Sequence, residues 1–455
     1  MTPVDRDRLA VVLADERILY TERHPRSQEL FERADHLFGR VPMTWMNKWS
    51  GGFPIYLDHA HGNRITDVDG HTYIDFALGD TGAMAGHSPK PTIEAVQKRI
   101  GALGGITTML PTEDAEWVGA ELARRFGLPL WSFALTATDA NRWAIRLARQ
   151  VTARPKILVF NYCYHGSVDE IFALGQPDGH TVSRPGNVAP PVPLDLTTRA
   201  VEFNDLPALE RALAHGDVAA ILMEPALTNV GIVLPEPGYL DGVRRLATQY
   251  GTLLMIDETH TFSAGPGGMT KQLGLEPDIF IIGKSIGGGI PSGAYGLSQK
   301  VADMVTHHTQ TSDVDIIDVG GVGGTLAGNA MSVSAMRATL EHVLTDDVWP
   351  PMIALATSFT EGVADVIERY DLPWSVAQLG ARSEYRFAWP APRNGSESED
   401  AADDDIEEYL HLFCANRGVL ITPFHNMALM CPDTSETDVE RHTEVFEDAV
   451  RTLRG

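Results

Sequence analysis

Between about residues 90 and 340, four short runs, apolar throughout but for the leading Lys156 of the first, alternate with helical patterns, and this restricts the chain to few folds. The runs are KILVF (156–160), AAILM (219–223), LLMI (253–256) and IFII (279–282). Helical patterns such as DAEWVGAELARRFG and DANRWAIRLARQV accompany them. A short run that is apolar at every position is a strand covered on both faces. Strands of this kind alternating with helices predict an α/β fold, a mostly parallel central sheet flanked by helices.

The two ends of the chain read differently. To about Ser50 a loose apolar stripe (Ile18, Leu30, Phe31, Leu37) predicts helix. Short strands follow in FPIYLDHAHG, ITDVDG and HTYIDFALG, with Asp69-Gly70 as a hairpin turn. After about residue 340 come a helix, strands around SEYRFAW, an acidic stretch (392–408) expected as a solvated surface loop leading into a helix, and a last helix. A chain of 455 residues exceeds one ordinary core. The expected division is 1–75 and 341–455 as the two parts of a smaller α+β domain, around a large 76–340 domain.

Charge and cysteine usage exclude some classes. A formal net charge of -25 argues against nucleic acid or an anionic membrane surface as partner. Cys163, Cys414 and Cys431 cannot all pair and show no metal-ligand spacing, so a reduced, cytoplasmic setting and no metal are expected. The first residues, MTPVDRDRLAVVLADERILY, lack the apolar stretch of a signal peptide, and no run is long enough to span a membrane.

Asp257 and Lys284 stand at or just past the ends of two of the buried runs. Strand ends are where an open α/β sheet presents chemistry. An amine and a carboxylate there suit pyridoxal phosphate, which needs a lysine for its Schiff base and an acid beside its ring nitrogen. A phosphate needs backbone N–H groups at a helix start, and in LTATDANRWAIRLAR Thr136, Ala137 and Thr138 precede a helix, with Asp139 as cap or first-turn residue. GGTLAGNA, with Gly324, Thr325 and Asn329, is a second candidate turn. Tyr164 and His165 follow KILVF, where an aromatic ring could stack on a flat cofactor.

Together these segments resemble the class III aminotransferases, fold-type I enzymes that include glutamate-1-semialdehyde aminomutase. The resemblance rests on DVDGHTYIDF (67–76), GHSP (86–89), TATDAN (136–141), YHG (164–166), EPALTNVG (224–231), Asp257-Glu258, GKSIGGG (283–289) and GTLAGN (324–329). It implies that Lys284 forms the internal aldimine and moves protons, and that Asp257 pairs with the ring nitrogen. It places Tyr164 and Thr259 on the two ring faces, and Glu224 and Asn229 near the ring oxygen. Ala137 and Thr138 would hold the phosphate. Thr325 would reach the phosphate of a neighbouring subunit, which implies a homodimer with a shared active site.

Two departures bear on substrate. Where the aminomutase has an arginine for the substrate carboxylate, this chain has Trp45, and where it has a C-terminal glutamate this chain has His425. These departures lead to the expectation of a transaminase. An amine or β-/ω-amino acid with an apolar or aromatic portion would pass its amino group to a keto acid such as pyruvate, with ping-pong kinetics. An aminomutase or racemase is the alternative. Arg382 and Arg386, four apart and so on one side of a strand, are candidates for a carboxylate, with Lys48 a lesser one. His260 is placed either in the pocket or on a surface loop.

Overall fold

The computed structural model describes residues 3–190 and 192–455. The first two residues of the expected 1–75 segment lie outside them. The chain divides into two compact units, one of residues 90–346 with 393–400, the other of residues up to 89, 347–392 and 401–455.

The first unit is built on a seven-stranded sheet. Its strands are β1 (Leu130–Ala134), β2 (Lys156–Phe160), β3 (Thr198–Val201), β4 (Val218–Met223), β5 (Leu253–Asp257), β6 (Ile279–Gly283) and β7 (Gly293–Leu297). They lie in the order β1-β7-β6-β5-β4-β2-β3. β7 runs antiparallel to both of its neighbours, β6 and β1. The pairs β5–β6, β5–β4, β2–β4 and β2–β3 are parallel, so the sheet is mostly parallel as expected.

The apolar runs are explained by two covered faces. Side chains alternate across a strand. Ile157, Val159, Met255, Ile279 and Ile281 therefore join one core with Trp143, Ala144, Leu147, Ala148 and Val151 of helix α1 (Ala137–Thr152). Leu158, Phe160, Ile221, Met223, Leu254 and Ile256 join a second core with helices α2 (Leu206–Leu213) and α3 (Tyr239–Gln249). Full burial of a side chain such as Leu147 stabilises the fold by about 2 kcal/mol. Because β2, β4, β5 and β6 run the same way, the residues that follow them gather along one edge of the sheet.

The acidic stretch 392–408 departs from the expected solvated loop. Gly395–Asp400 is a helix seated against the sheet unit. A Cβ at Gly395 would lie 2.1 Å from the Asn161 carbonyl, so only glycine permits this approach. The Ser398 hydroxyl donates to the Val230 carbonyl, and Arg393 Nε donates to Glu236 at 2.7 Å. The charge run masks these small docking residues.

The second unit holds a four-stranded sheet of Leu57–His61, Arg64–Asp67, Thr72–Asp75 and Val419–Leu420. The hairpin at Asp69-Gly70 forms as expected, with Arg64 opposite Ile74. Val419–Leu420 adds in parallel, which joins segments from both chain ends. A three-stranded sheet comprises Ser375–Leu379, Arg382–Arg386 and Met427–Leu429. His24, Asp67, His71 and Tyr73 form a polar network here. The Tyr73 hydroxyl sits 2.7 Å from both His24 Nε2 and Asp67 Oδ2, and His24 Nδ1 lies 2.6 Å from the Tyr20 carbonyl. Among the described residues no helix is long and apolar enough to cross a membrane.

Candidate active site

Asp257 ends β5, buried, and three donors hold its carboxylate. Asn141 Nδ2 reaches Oδ2 at 2.9 Å, His165 Nδ1 lies 3.0 Å from Oδ2, and the Thr259 N–H reaches Oδ1 at 3.0 Å. Burial opposes ionisation of Asp257. The His165 hydrogen bond and charge outweigh it, and the carboxyl is held below its usual range. Burial likewise opposes protonation of His165, but the Cys163 sulfur and Asp257 outweigh it and hold the imidazole above its ordinary value. The result is a buried carboxylate held by an imidazole, an amide and a backbone N–H. A carboxylate has about four acceptor positions. Three are taken, which leaves room for one further donor.

Lys284 follows β6 directly and is half-buried. Its φ of 52° lies in the left-handed region. A non-glycine residue held there is strained by about 1 kcal/mol or more, and such strain gathers at functional sites. Its Nζ lies 2.8 Å from His260 Nε2. His260, which the sequence left between pocket and surface, is therefore beside the lysine.

The start of α1 is a third feature. Thr136 caps it, its hydroxyl accepting from the Asp139 N–H at 3.2 Å. The N–H groups at Ala137 and Thr138 have no carbonyl within the helix to bond. Three glycines close on this turn. A Cβ at Gly166 (φ +80°) would meet Thr138 Oγ1 at 2.0 Å, one at Gly293 would meet the Thr136 carbonyl at 2.7 Å, and one at Gly283 would meet the Ala137 nitrogen at 3.1 Å. The Thr138 hydroxyl also accepts from the Ser167 N–H at 3.1 Å.

The remaining predicted cofactor residues of this unit are placed as follows. Tyr164 is half-buried, its ring edge-on to Phe172 at 6.3 Å. Thr259 is buried, and its Oγ1 has no hydrogen-bond partner. Glu224 is buried and bonded by the Thr228 hydroxyl, and burial pushes its carboxyl up to about 7. Asn229 donates to the Tyr162 carbonyl at 3.0 Å. Thr325 is exposed. His165, expected against the cofactor, holds Asp257 through Nδ1, while its buried Nε2 has no hydrogen-bond partner.

Trp45, Arg382, Arg386 and His425 belong to the other unit. Trp45 packs edge-on to Phe424 at 6.0 Å, and Lys48 Nζ lies 5.1 Å from the same ring. His425 Nδ1 lies 3.3 Å from Glu384. Arg382 and Arg386 do share a strand face, but with Glu384 between them and both buried rather than on the surface. Arg382 bonds the Thr81 hydroxyl.

Sequence reasoning missed Asn141 and Glu258. Asn141 is a polar residue on the apolar face of α1, four after Ala137, and that mismatch was a readable signal. Its Nδ2 also donates to the His165 carbonyl at 3.1 Å. Glu258 accepts from the Met269 N–H at 3.1 Å, the Thr261 hydroxyl at 2.6 Å and the Thr270 N–H, and so fixes the loop after β5.

This donor set fits pyridoxal phosphate. One acceptor position on Asp257 suits a ring N–H, the α1 turn suits a phosphate, and Lys284 brings the amine. Comparison with known proteins agrees. The family model for class III aminotransferases matches residues 45–450. A glutamate-1-semialdehyde 2,1-aminomutase from Chloroflexus aggregans is 31% identical over 446 residues, covering 95% of this chain and 99% of the relative. A solved glutamate-1-semialdehyde aminomutase from Pseudomonas aeruginosa PAO1 is 47% identical, with a TM-score of 0.95 over 99% of this chain and 100% of that one. A lysine-to-alanine variant of it was solved with PMP. An omega-transaminase from Sphaerobacter thermophilus is 27% identical, with a TM-score of 0.85 over 96% of this chain and 100% of that one.

These relatives correct the expectation of a transaminase acting on amines or ω-amino acids with a keto-acid acceptor. The more similar relatives are aminomutases. The expectation rested on Trp45 and His425, which can alter how a substrate is held. Whether a product leaves before its second proton transfer is a different property, and two side chains do not reveal it.

Proposed function

The chain belongs to the class III aminotransferases, and on that premise we propose that it is an aminomutase of the glutamate-1-semialdehyde type. Such an enzyme exchanges an amine and a carbonyl between adjacent carbons of one skeleton. The observation that carries this reading is the 47% identity, over nearly the whole of both chains, to the Pseudomonas aeruginosa aminomutase. When bound, pyridoxal phosphate supplies an aldehyde that links to amines and an electron sink for the carbon bearing them.

The residues of this chain take the other roles. Asp257, kept ionised by His165 and Asn141, holds the proton on the ring nitrogen. A buried carboxylate facing a cation is well placed to do so, because the low local dielectric strengthens the pair. Ala137 and Thr138 receive the phosphate at the positive end of α1. Tyr164 and Thr259 would border the flat ring, and Glu224 and Asn229 would support the segment beside its oxygen. The Lys284 amine would serve as the base and acid that removes and returns protons at the substrate carbons. An aminomutase needs no second carbonyl substrate.

A homodimer in which Thr325 serves the neighbouring subunit's phosphate is part of the proposal. The exposure of the large apolar side chains Leu103, Met109, Leu110, Ile317, Val319 and Leu326 supports it. A cytoplasmic setting is likewise proposed. The function is tested by giving purified enzyme glutamate-1-semialdehyde alone and following it by NMR. Conversion to the isomer with amine and carbonyl exchanged supports the reading. Conversion that requires added keto acid refutes it.

A further inference from the structure

The register of two strands brings His260 to Lys284. β5 and β6 are parallel, with Asp257 opposite Ile281. Each chain then runs three residues past that pair, to His260 and to Lys284. Both pairs are 24 residues apart, so the two side chains leave the sheet edge at one level. The loop that carries His260 is fixed on both sides. The Thr259 N–H is held by Asp257, the Glu258 N–H donates to the Ile281 carbonyl at 2.9 Å, and the Glu258 carboxylate is bonded by Met269, Thr270 and Thr261. The hydrogen bonds of the two acids thus run to Asn141, His165, Thr259, Thr261, Met269 and Thr270. The imidazole reaches the lysine nitrogen at 2.8 Å.

The geometry points to His260 as the proton acceptor for the Lys284 ε-amine, and this rests on the reading that Lys284 is the amine that engages the cofactor. An ammonium has no lone pair and cannot attack an aldehyde. One proton passes from Nζ to His260 Nε2 along the existing contact. Nζ gains a lone pair, and the ring becomes an imidazolium with both nitrogens protonated. No heavy-atom bond forms or breaks, and the proton returns when the amine is next a base. Neutral imidazole suits this task because its ordinary proton affinity lies near physiological pH. A serine or glutamine at the same place could accept a hydrogen bond but not the proton.

The test compares full-length wild type, His260→Gln, His260→Ala and Lys284→Ala. The first readout is the rate at which each protein, freed of cofactor, acquires the visible absorbance band when pyridoxal phosphate is added. The second is the split of kcat from KM. His260→Gln should slow band formation and kcat about tenfold or more, with KM changed less than about threefold, the scale of a lost proton-transfer group. Millimolar imidazole should restore part of the rate to His260→Ala and none to wild type. If His260→Gln forms the band and turns over at the wild-type rate, or imidazole restores nothing, His260 is not the acceptor. Lys284→Ala answers a separate question. Should it form the same band, Lys284 is not the amine and the reading of the site fails whatever His260 does.

Discussion

Gly166→Ala probes how closely the backbone must approach the start of α1. Two costs are expected. Gly166 has φ +80°, and placing a residue with a Cβ in the left-handed region costs about 1–2 kcal/mol. The new methyl would also lie 2.0 Å from Thr138 Oγ1 and 2.8 Å from its Cα, far inside contact distance. Relieving such overpacking costs roughly a further 1–3 kcal/mol. The total is about 2–5 kcal/mol. Gly179→Ala is the matched control, since Gly179 has φ +86° and nothing within 4 Å of the new methyl. It should lose only the backbone part. Urea unfolding of the cofactor-free proteins gives both values. Because relief must shift Thr138 away from the turn, Gly166→Ala should also weaken pyridoxal phosphate binding, read by titrating the visible band, while Gly179→Ala should not. Equal losses in the two variants, or unchanged cofactor affinity in Gly166→Ala, would refute the argument that this glycine shapes the cradle.

Three further outcomes are expected. Glu224 has a folded value raised from 4.5 to about 7, so its contribution to stability is complete below pH 4.5 and is lost as pH rises through 7. That difference is worth about 3 kcal/mol, and Glu224→Gln, which mimics the neutral acid, should flatten the melting-temperature profile between pH 5 and 8; a profile like that of the wild type would count against it. Asn141→Leu removes a buried donor to a carboxylate, a bond worth roughly 1.5–3 kcal/mol, and should loosen cofactor binding as well as lower stability by that amount in denaturant titrations. Leu147→Ala, in the core between α1 and the sheet, should cost about 2–5 kcal/mol yet leave cofactor affinity intact in the same band titration.

The sheet and its two leading residues were legible because they rest on strong local signals. Strands covered on both faces must be apolar throughout, as LLMI and IFII are, and a charged residue ending such a run stands out. Asp257 and Lys284 were found in that way. The other partners are set by register and by helix placement. His165 and Asn141 meet Asp257 only once α1 lies over the sheet, and His260 meets Lys284 only once β5 and β6 are paired. The 392–408 stretch misled because its acids outnumber the glycine and serine that dock it. The outcome of the reaction was misread for a different reason. The expectation rested on the identity of two side chains, Trp45 and His425, and that identity does not determine when a product leaves.

The claim that Lys284 carries the cofactor is tested most directly by trapping. Holoenzyme is reduced with borohydride, digested, and its peptides are weighed. The added cofactor mass is expected on Lys284, in the peptide spanning IFIIGKSIGGG. A reduced cofactor found on any other lysine, with Lys284 unmodified, would contradict it.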